Sequence, residues 1–348
     1  MSKTAAVAMS GGLDSSVTAM LLRQQGFEVV GVTGKMVESP CADIICENAK
    51  KVADKLGIGF SVIDLTQEFN TSVVEYFKNS YKNGDTPNPC IECNKHIKWG
   101  KLFEYAIETL GADFFATGHY ANIKNDKGIY KLYPAKDVNK DQLYFLYKLG
   151  QKELSKTIFP LSNFEKSEIR ELAQKFNLPS KDSKESQDIC FIQKPMTTKK
   201  YLISEIGEQI GNFIEISTGK VLGHHNGFYQ YTIGQRKGIG IAHEFPLYVV
   251  DIDAEKNIVY LGKKDYGMRS QLVLKDLFFS YEQNKTEFDA LVKIRYNMPH
   301  KKAHINIFSD DYVEITFDEG ISAITPGQAG VIYDLNDGHL IGGGTICW

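Results

Sequence analysis

The sequence is poor in cysteine, has no long apolar run and carries almost no net charge, and each shortage closes off a class of protein. Six cysteines in 348 residues are too sparse for a disulfide scaffold. Cys41, Cys46, Cys90, Cys93, Cys190 and Cys347 therefore read as free thiols, metal ligands or reactive groups. No stretch approaches the roughly 18 consecutive apolar residues of a membrane helix. The N-terminal MSKTAAVAMSGG has too short an apolar run for a secretory signal and passes straight into a glycine loop. A cytoplasmic chain with no membrane partner is the expectation. Forty basic against 43 acidic side chains leave a net charge of −3. That is not the footprint of a general nucleic-acid coater, although a local basic stripe suffices for a shaped RNA. Neither GxGxxG nor GxxxxGK[ST] occurs, which removes the two commonest nucleotide-loop signatures.

What is present is an ordinary globular composition, 43% hydrophobic and 24% charged. At roughly 150 residues per domain the length predicts two or three domains. In the first third, apolar runs at 4–9, 28–32, 60–65 and 113–117 predict strands. Amphipathic stretches at 13–25, 44–56, 69–81 and 91–110 predict the helices between them, and a further helix is expected at 166–176. This alternation predicts an α/β fold with a doubly wound parallel sheet. A polar segment, 180–188, follows. From about Pro195 glycines become frequent and short alternating runs replace the strand–helix rhythm: 245–252, 258–261, 290–296, 303–307, 312–316 and 329–333. They predict a small central domain and a C-terminal β-barrel. The expected division is 1–194, 195–264 and 265–348.

Ser10-Gly11-Gly12-Leu13-Asp14-Ser15-Ser16 lies between the first strand and the first helix. Glycines let a ligand approach the backbone, and amides at a helix start make an anion site. A tight turn with a serine cap would look similar. The whole string is a more specific signal for phosphate or pyrophosphate. In Thr86-Pro87-Asn88-Pro89-Cys90-Ile91-Glu92-Cys93 two prolines hold the chain extended up to a helix start. Cys93 is expected in the first turn, where amides would lower its pKa and favour the thiolate. A lone cysteine is ordinarily a small buried hydrophobe. A CxxC at a helix start points instead to redox, metal or sulfur chemistry.

The SGGxDS string resembles the PP-loop ATP pyrophosphatases, which split ATP between its α and β phosphates. With AMSGGLDSSV, TPNPCIECNKHIKWG, ATGHYA, KDQLYFL, SKESQDICFI, YTIGQRKGIGI, RYNMPH and TPGQAGVIYD, the chain resembles the tRNA-specific 2-thiouridylases essentially end to end. The resemblance implies a PP-loop domain (a PP-loop ATPase-type sheet), a small central domain and a β-barrel. It implies ATP-dependent thiolation of C2 of the wobble uridine, with Mg²⁺, a tRNA substrate and a sulfur-donor protein such as a cysteine desulfurase or sulfur-relay protein. Carried over by motif, ATP falls to Ala8, Met9, Ser10, Gly11, Gly12, Leu13, Asp14 and Ser15, with Met36 and Gly118. Cys93 is the nucleophile and Cys190 the persulfide carrier, and the pair can close a disulfide during sulfur delivery. Asn88, Pro89 and Cys90 match the target-base segment. His119, Lys140, Asp141 and Gln142 match tRNA contacts, as do Arg295, Tyr296 and Gln328 in the barrel.

One position departs from the family pattern, which commonly has Asp where this chain has Cys90. Cys90, Cys93 and Cys190 together are also the ligand set of a three-cysteine [4Fe-4S] cluster with one open iron. A thiolate at Cys90, favoured by the helix start, would suit that role. A PP-loop ligase acting on a small molecule is the functional alternative, although it would not need the cysteine pair. A non-catalytic tRNA-binding module is a third, against which the intact loop argues. Cys41, Cys46 and Cys347 match no family role.

Overall fold

The computed structural model describes residues 2–183, 189–309 and 311–347. The polar segment expected at 180–188 therefore lies partly outside the described residues. Its first strand, β1 (Thr4–Ala8), is built of small residues whose interior positions are fully buried. It feeds the loop that opens α1 (Leu13–Gln24), and β2 (Glu28–Lys35), α2 (Pro40–Leu56) and β3 (Gly59–Asp64) follow. α2 starts four residues before the periodicity suggests. Ser39 caps it by accepting from the Ala42 amide at 3.2 Å, Pro40 takes the first helical position, and Gly57 closes it at φ 62°; such caps contribute about 1 kcal/mol.

The expected third helix spans 66–82 (α3) and passes through a π-helical stretch at Asn70–Val74. The longer helix spans 89–109 (α4) and is π-helical over Cys93–Leu102 and Tyr105–Thr109. Next come β4 (Phe114–Ala116), the hairpin β5 (Asn122–Asp126) and β6 (Ile129–Tyr133), the short α5 (Gln151–Leu154), β7 (Thr157–Ile158) and α6 (Lys166–Lys175). The first sheet runs β3-β2-β1-β4-β7, and all four of its strand pairs are parallel. The doubly wound α/β expectation holds. The order reverses at β1, so the C-terminal ends of β1 and β4 frame the crevice where such sheets place ligands.

A helix, α7 (Thr198–Ile206), leads to β8 (Gly211–Glu215), β9 (Val221–His225), β10 (Tyr248–Asp253) and β11 (Ile258–Gly262), a four-stranded sheet in the order β10-β11-β8-β9. A closed barrel follows: β12 (Met268–Phe279), β13 (Glu287–Lys293), β14 (Lys301–Ile307), β15 (Val313–Ser322), β16 (Ala329–Tyr333) and β17 (Leu340–Cys347), joined as β12-β15-β14-β13-β16-β17. The sequence reading missed β12, β17, both strands of the β5–β6 hairpin, α5, β7, α7, β8 and β9. It also ran the 290–296 strand too far. β13 ends at Lys293, and Arg295 turns off the barrel wall to donate to the Ile233 carbonyl at 2.7 Å.

Candidate active site

The loop after β1 is held by bonds to β2 and within itself: the Ser10 amide donates to Ser15 Oγ at 3.3 Å and the Gly12 amide to Ser10 Oγ at 3.4 Å. The Met9 amide donates to the Val32 carbonyl at 2.8 Å, and Thr33 Oγ1 donates to the Met9 carbonyl at 2.7 Å. Gly11 has φ +69°, and a Cβ there would lie 2.6 Å from Asn48 Cβ, so only glycine closes this turn. Ser15 and Ser16 hydroxyls both donate to the Gly12 carbonyl. No side chain caps α1, whose N-cap is Gly12; its first-turn amides stand available to an anion. Leu13 is instead buried in the core. Gly118, just past β4, is pressed against α1, where a Cβ would be 2.9 Å from Asp14.

Asp14 is clamped on two sides. Lys166 Nζ, from the first residue of α6, lies 2.7 and 2.6 Å from its two carboxylate oxygens, and the Tyr120 hydroxyl donates at 3.1 Å. Neither partner stood out in the sequence, because nothing local marks a lysine at a distant helix start as the mate of a loop aspartate.

A cavity of about 440 Å³ opens from this loop. Ala8, Met9, Ser10, Asp14 and Ser15 line one end, with Met36 and Gly118 beside them. Pro89, Cys90, Cys93 and Cys190 line the other. Cysteines almost a hundred positions apart in sequence thus share one chamber with the phosphate loop. Asn88 starts α4 by accepting the Cys90 amide on its side-chain oxygen at 3.2 Å, with Pro89 at the first helical position. Among the described residues the three thiols do not gather within 4.8 Å as a set for one metal ion; the group that does, Asp334, Asp337 and His339, lies outside this cavity. All six cysteines are free.

The thiol electrostatics differ from the expectation. Cys90, not Cys93, occupies the first turn of α4, and Cys93 is buried one turn deeper. Burial pushes the Cys93 thiol up to about 12, against an opposing pull from Lys98. Cys190 reaches solvent yet is hemmed in by the cavity walls, and it rises to about 11, chiefly by desolvation. Cys90 also rises for the same reason. The helix-start amides do not win, because loss of water around a thiolate costs more than they return.

Lys98 is the one lysine or arginine lining the cavity among the described residues, and the sequence reading passed over it. Five positions after Cys93 is about 140° around an α-helix, the wrong face. The π-helical ring closes between i and i+5, and π stretches often sit at functional sites; here one places Lys98 in the same chamber as Cys93. Its ammonium lies 3.5 Å from His119 Nε2, while His119 Nδ1 meets Thr117 Oγ1 at 2.8 Å. Burial lowers the His119 pKa well below its usual value, so the ring is neutral. A neutral ring accepting from Lys98 at Nε2 carries its proton on Nδ1 and donates it to Thr117.

The remaining expected residues separate into two groups. Gln142 lines the cavity and accepts the Tyr120 amide at 3.0 Å on its side-chain oxygen. Its neighbour Asp141 accepts the Ala135 and Leu143 amides at 3.1 and 3.2 Å, which folds its own loop; Lys140 closes a turn onto the Asp137 carbonyl. Arg295, Tyr296 and Gln328 are not in the cavity lining. Arg295 bonds to Ile233 and to Thr325, and Tyr296 packs against Phe145 with ring centroids 4.5 Å apart and planes tilted by 41°. Gln328 bonds to Thr86 and Pro87. All three sit where separate parts of the chain meet.

Comparison with known proteins shows the family. Residues 3–194 match the family model described as a tRNA methyl transferase HUP domain, 199–263 its PRC-barrel domain, and 269–346 an aminomethyltransferase beta-barrel domain. The chain is 43% identical to the tRNA-specific 2-thiouridylase of Carboxydothermus hydrogenoformans, over 99% of this chain and 97% of that one. It is 42% identical to the 2-thiouridylase of Syntrophomonas wolfei, over 98% and 99%. Among solved structures, a 4-thiouridine synthetase bound to RNA and ATP overlays 50% of this chain and 40% of that chain at 21% identity, with a TM-score of 0.35, too loose a likeness to weigh. With full-length identity at this level, the chain belongs to the tRNA-specific 2-thiouridylase family.

Proposed function

We propose that this protein is a tRNA-uridine 2-sulfurtransferase. It consumes ATP to AMP and pyrophosphate and replaces the C2 oxygen of the wobble uridine, position 34, by sulfur. The observation that carries this is the single cavity joining the phosphate loop to Cys93 and Cys190. The loop amides at the start of α1 hold the pyrophosphate end of ATP. The C2 oxygen attacks the α-phosphorus, and pyrophosphate leaves. Asp14, the one carboxylate in the cavity lining among the described residues, would hold Mg²⁺, which would offset the polyphosphate charge of ATP. The terminal sulfur of a persulfide on Cys190 then displaces AMP from C2. Cys93 attacks Cys190 Sγ, and the released electron pair stays on the sulfur at C2. The product is thiouridine and a Cys93–Cys190 disulfide, which a thiol reductant must reopen. A sulfur-donor protein, a cysteine desulfurase or relay protein, reloads Cys190, and the tRNA substrate fits a cytoplasmic enzyme. No described helix is long and apolar enough to cross a membrane. His119, Lys140, Asp141, Gln142, Arg295, Tyr296 and Gln328 are assigned to tRNA by family resemblance, and the division at 1–194, 195–264 and 265–348 is supported by the spans of the three family models.

The test is AMP formation that requires both unmodified tRNA and a sulfur donor. Asp14→Ala and Ser10→Ala should stop it with tRNA binding nearly unchanged. Cys93→Ser and Cys190→Ser should each stop thiolation in folded protein. AMP formation without tRNA would favour a small-molecule ligase, and normal thiolation by either cysteine variant would remove that residue from the scheme.

A second reading is favoured by Cys90, whose thiol lines the same chamber as Cys93 and Cys190. Those three residues would hold a [4Fe-4S] cluster, and an open iron would then supply the sulfur-carrying position. Anaerobic reconstitution with iron and sulfide counting decides between them. Full thiolation by iron-free protein, with Cys90→Asp also active, ends the cluster reading.

A further inference from the structure

The segment that delivers the cysteines has little backbone bonding of its own. Between α3 and α4 it runs through Thr86-Pro87-Asn88-Pro89, and two of these four residues have no N–H to donate. What holds its backbone belongs to the barrel, in the turn Thr325-Pro326-Gly327-Gln328 between β15 and β16; outside the barrel the Thr86 hydroxyl donates to Thr232 Oγ1 at 3.4 Å. The Thr86 amide donates to the Pro326 carbonyl at 2.9 Å. Gln328 Nε2 donates to the Thr86 carbonyl at 2.7 Å and to the Pro87 carbonyl at 3.4 Å. The turn is itself pinned to β17: Gly327 donates to Ile346 at 3.0 Å, and Ile346 donates back to Gln328 at 2.8 Å. Gly327 has φ +85°, and a Cβ there would lie 2.8 Å from Asp85 Cβ and 2.9 Å from the Thr86 nitrogen. The barrel thus approaches the cysteine segment as closely as backbones can.

We propose that Gln328 is a positioning residue for the cysteine segment: its amide, donating from the barrel to both carbonyls that precede Asn88-Pro89-Cys90, sets where Cys90 and Cys93 stand in the cavity. Family resemblance gives this side chain to tRNA. In the tRNA-free protein its donor is already engaged on the catalytic segment, 242 positions away in sequence. Asn88 starts α4 and Cys93 lies in its second turn, so a shift at Thr86-Pro87 is passed along a rigid helix to the thiols. The catalytic consequence rests on the sulfur-transfer reading above; the geometric one does not.

Two variants of the full chain test it. Gln328→Leu removes the donor at similar size, and Gln328→Glu keeps the shape but turns an acceptor on two carbonyls. Hydrogen exchange of the tRNA-free protein should show the Thr86 amide and its neighbours opening about tenfold faster or more in both. Steady-state thiolation should lose roughly 10²-fold in kcat, with KM for tRNA little changed. Unaltered exchange together with a raised KM alone would assign Gln328 to tRNA contact and overturn the proposal. A wild-type protein that fails to thiolate would count against the functional reading, while the exchange measurement would still decide the placement of the segment.

Discussion

The decisive feature at the residue scale is that the thiols of the cavity are held neutral. Desolvation raises Cys93 to about 12 and Cys190 to about 11, so neither is a standing nucleophile. Iodoacetamide should therefore label Cys93 slowly near neutral pH and progressively faster as pH rises above 9; rapid labelling at pH 7 would contradict the burial argument. The same shift has a stability consequence. The folded pKa lies above the ordinary value of 9.0, so the contribution is fully present below pH 9 and is lost as pH rises from 9 towards 12. Glu92, between the two cysteines of the CxxC, has the opposite sign. Burial would raise it, but His96 and Lys148 outweigh that and hold it at about 2. Its contribution is present above pH 4.5 and fades as pH falls towards 2. Lys98 is the charge placed to change the thiol state. Lys98→Met should cut thiolation by about 10²-fold with unfolding midpoints nearly unchanged, and Lys98→Arg should restore part of it.

At the scale of elements, the β1–α1 loop separates what folds the chain from what binds its ligand. Gly11 is required by the backbone: it has positive φ and meets Asn48 at 2.6 Å. Gly12 has an ordinary N-cap conformation, φ −81°, and an added Cβ would touch Ser10 Oγ alone, at 3.3 Å. Gly11→Ala should therefore lower stability by about 1–3 kcal/mol, visible as an earlier thermal midpoint. Gly12→Ala should melt nearly as wild type and yet bind ATP weakly, because its methyl group occupies the space a phosphate takes against the helix start. Calorimetric titration with ATP on both variants checks the contrast, and normal ATP affinity in Gly12→Ala would place the phosphates elsewhere.

Across the whole molecule, the barrel shares a buried core with the first domain, where Ala329, Val331, Tyr333 and Leu340 pack with Tyr144 and Tyr147, and side-chain bonds add further ties. Half-buried Arg295 is the clearest, since it bonds to Ile233 from the central sheet region and to Thr325 beside β15. Gly234 comes so close to Ala323 that a Cβ would stand 2.5 Å away. Arg295→Met would keep much of the packing and leave the Ile233 carbonyl unsatisfied, at a cost of about 1–3 kcal/mol. The expected readout is a calorimetric melt that broadens or splits, as the barrel parts from the rest before the parallel sheet unfolds. A single sharp transition at the wild-type midpoint would show that other contacts suffice.

The sequence by itself determined the parallel sheet, the phosphate loop and the character of the C-terminal half. These depend on local patterning: apolar runs alternating with 3.6-residue periodicity, and a glycine–serine string at a strand–helix junction. It missed β17, whose three consecutive glycines, Gly342 to Gly344, look unlike a strand. That strand forms by pairing with β12 and β16, and it needs its glycines because Cβ positions there are blocked at 2.4 to 2.6 Å by the Phe278, Gly330 and Lys275 carbonyls. The family resemblance implied that Cys93 and Cys190 come together but not what surrounds them, and local helix logic assigned Cys93 the wrong ionisation. Tertiary structure decided both, because burial is a property of what packs around a residue and outweighs a helix-start amide. It also decided the partners: Lys98 through a π-helical register, Lys166 on Asp14, and Gln328 on Thr86 and Pro87. Each is a pairing between positions whose separation in sequence carries no periodic signal.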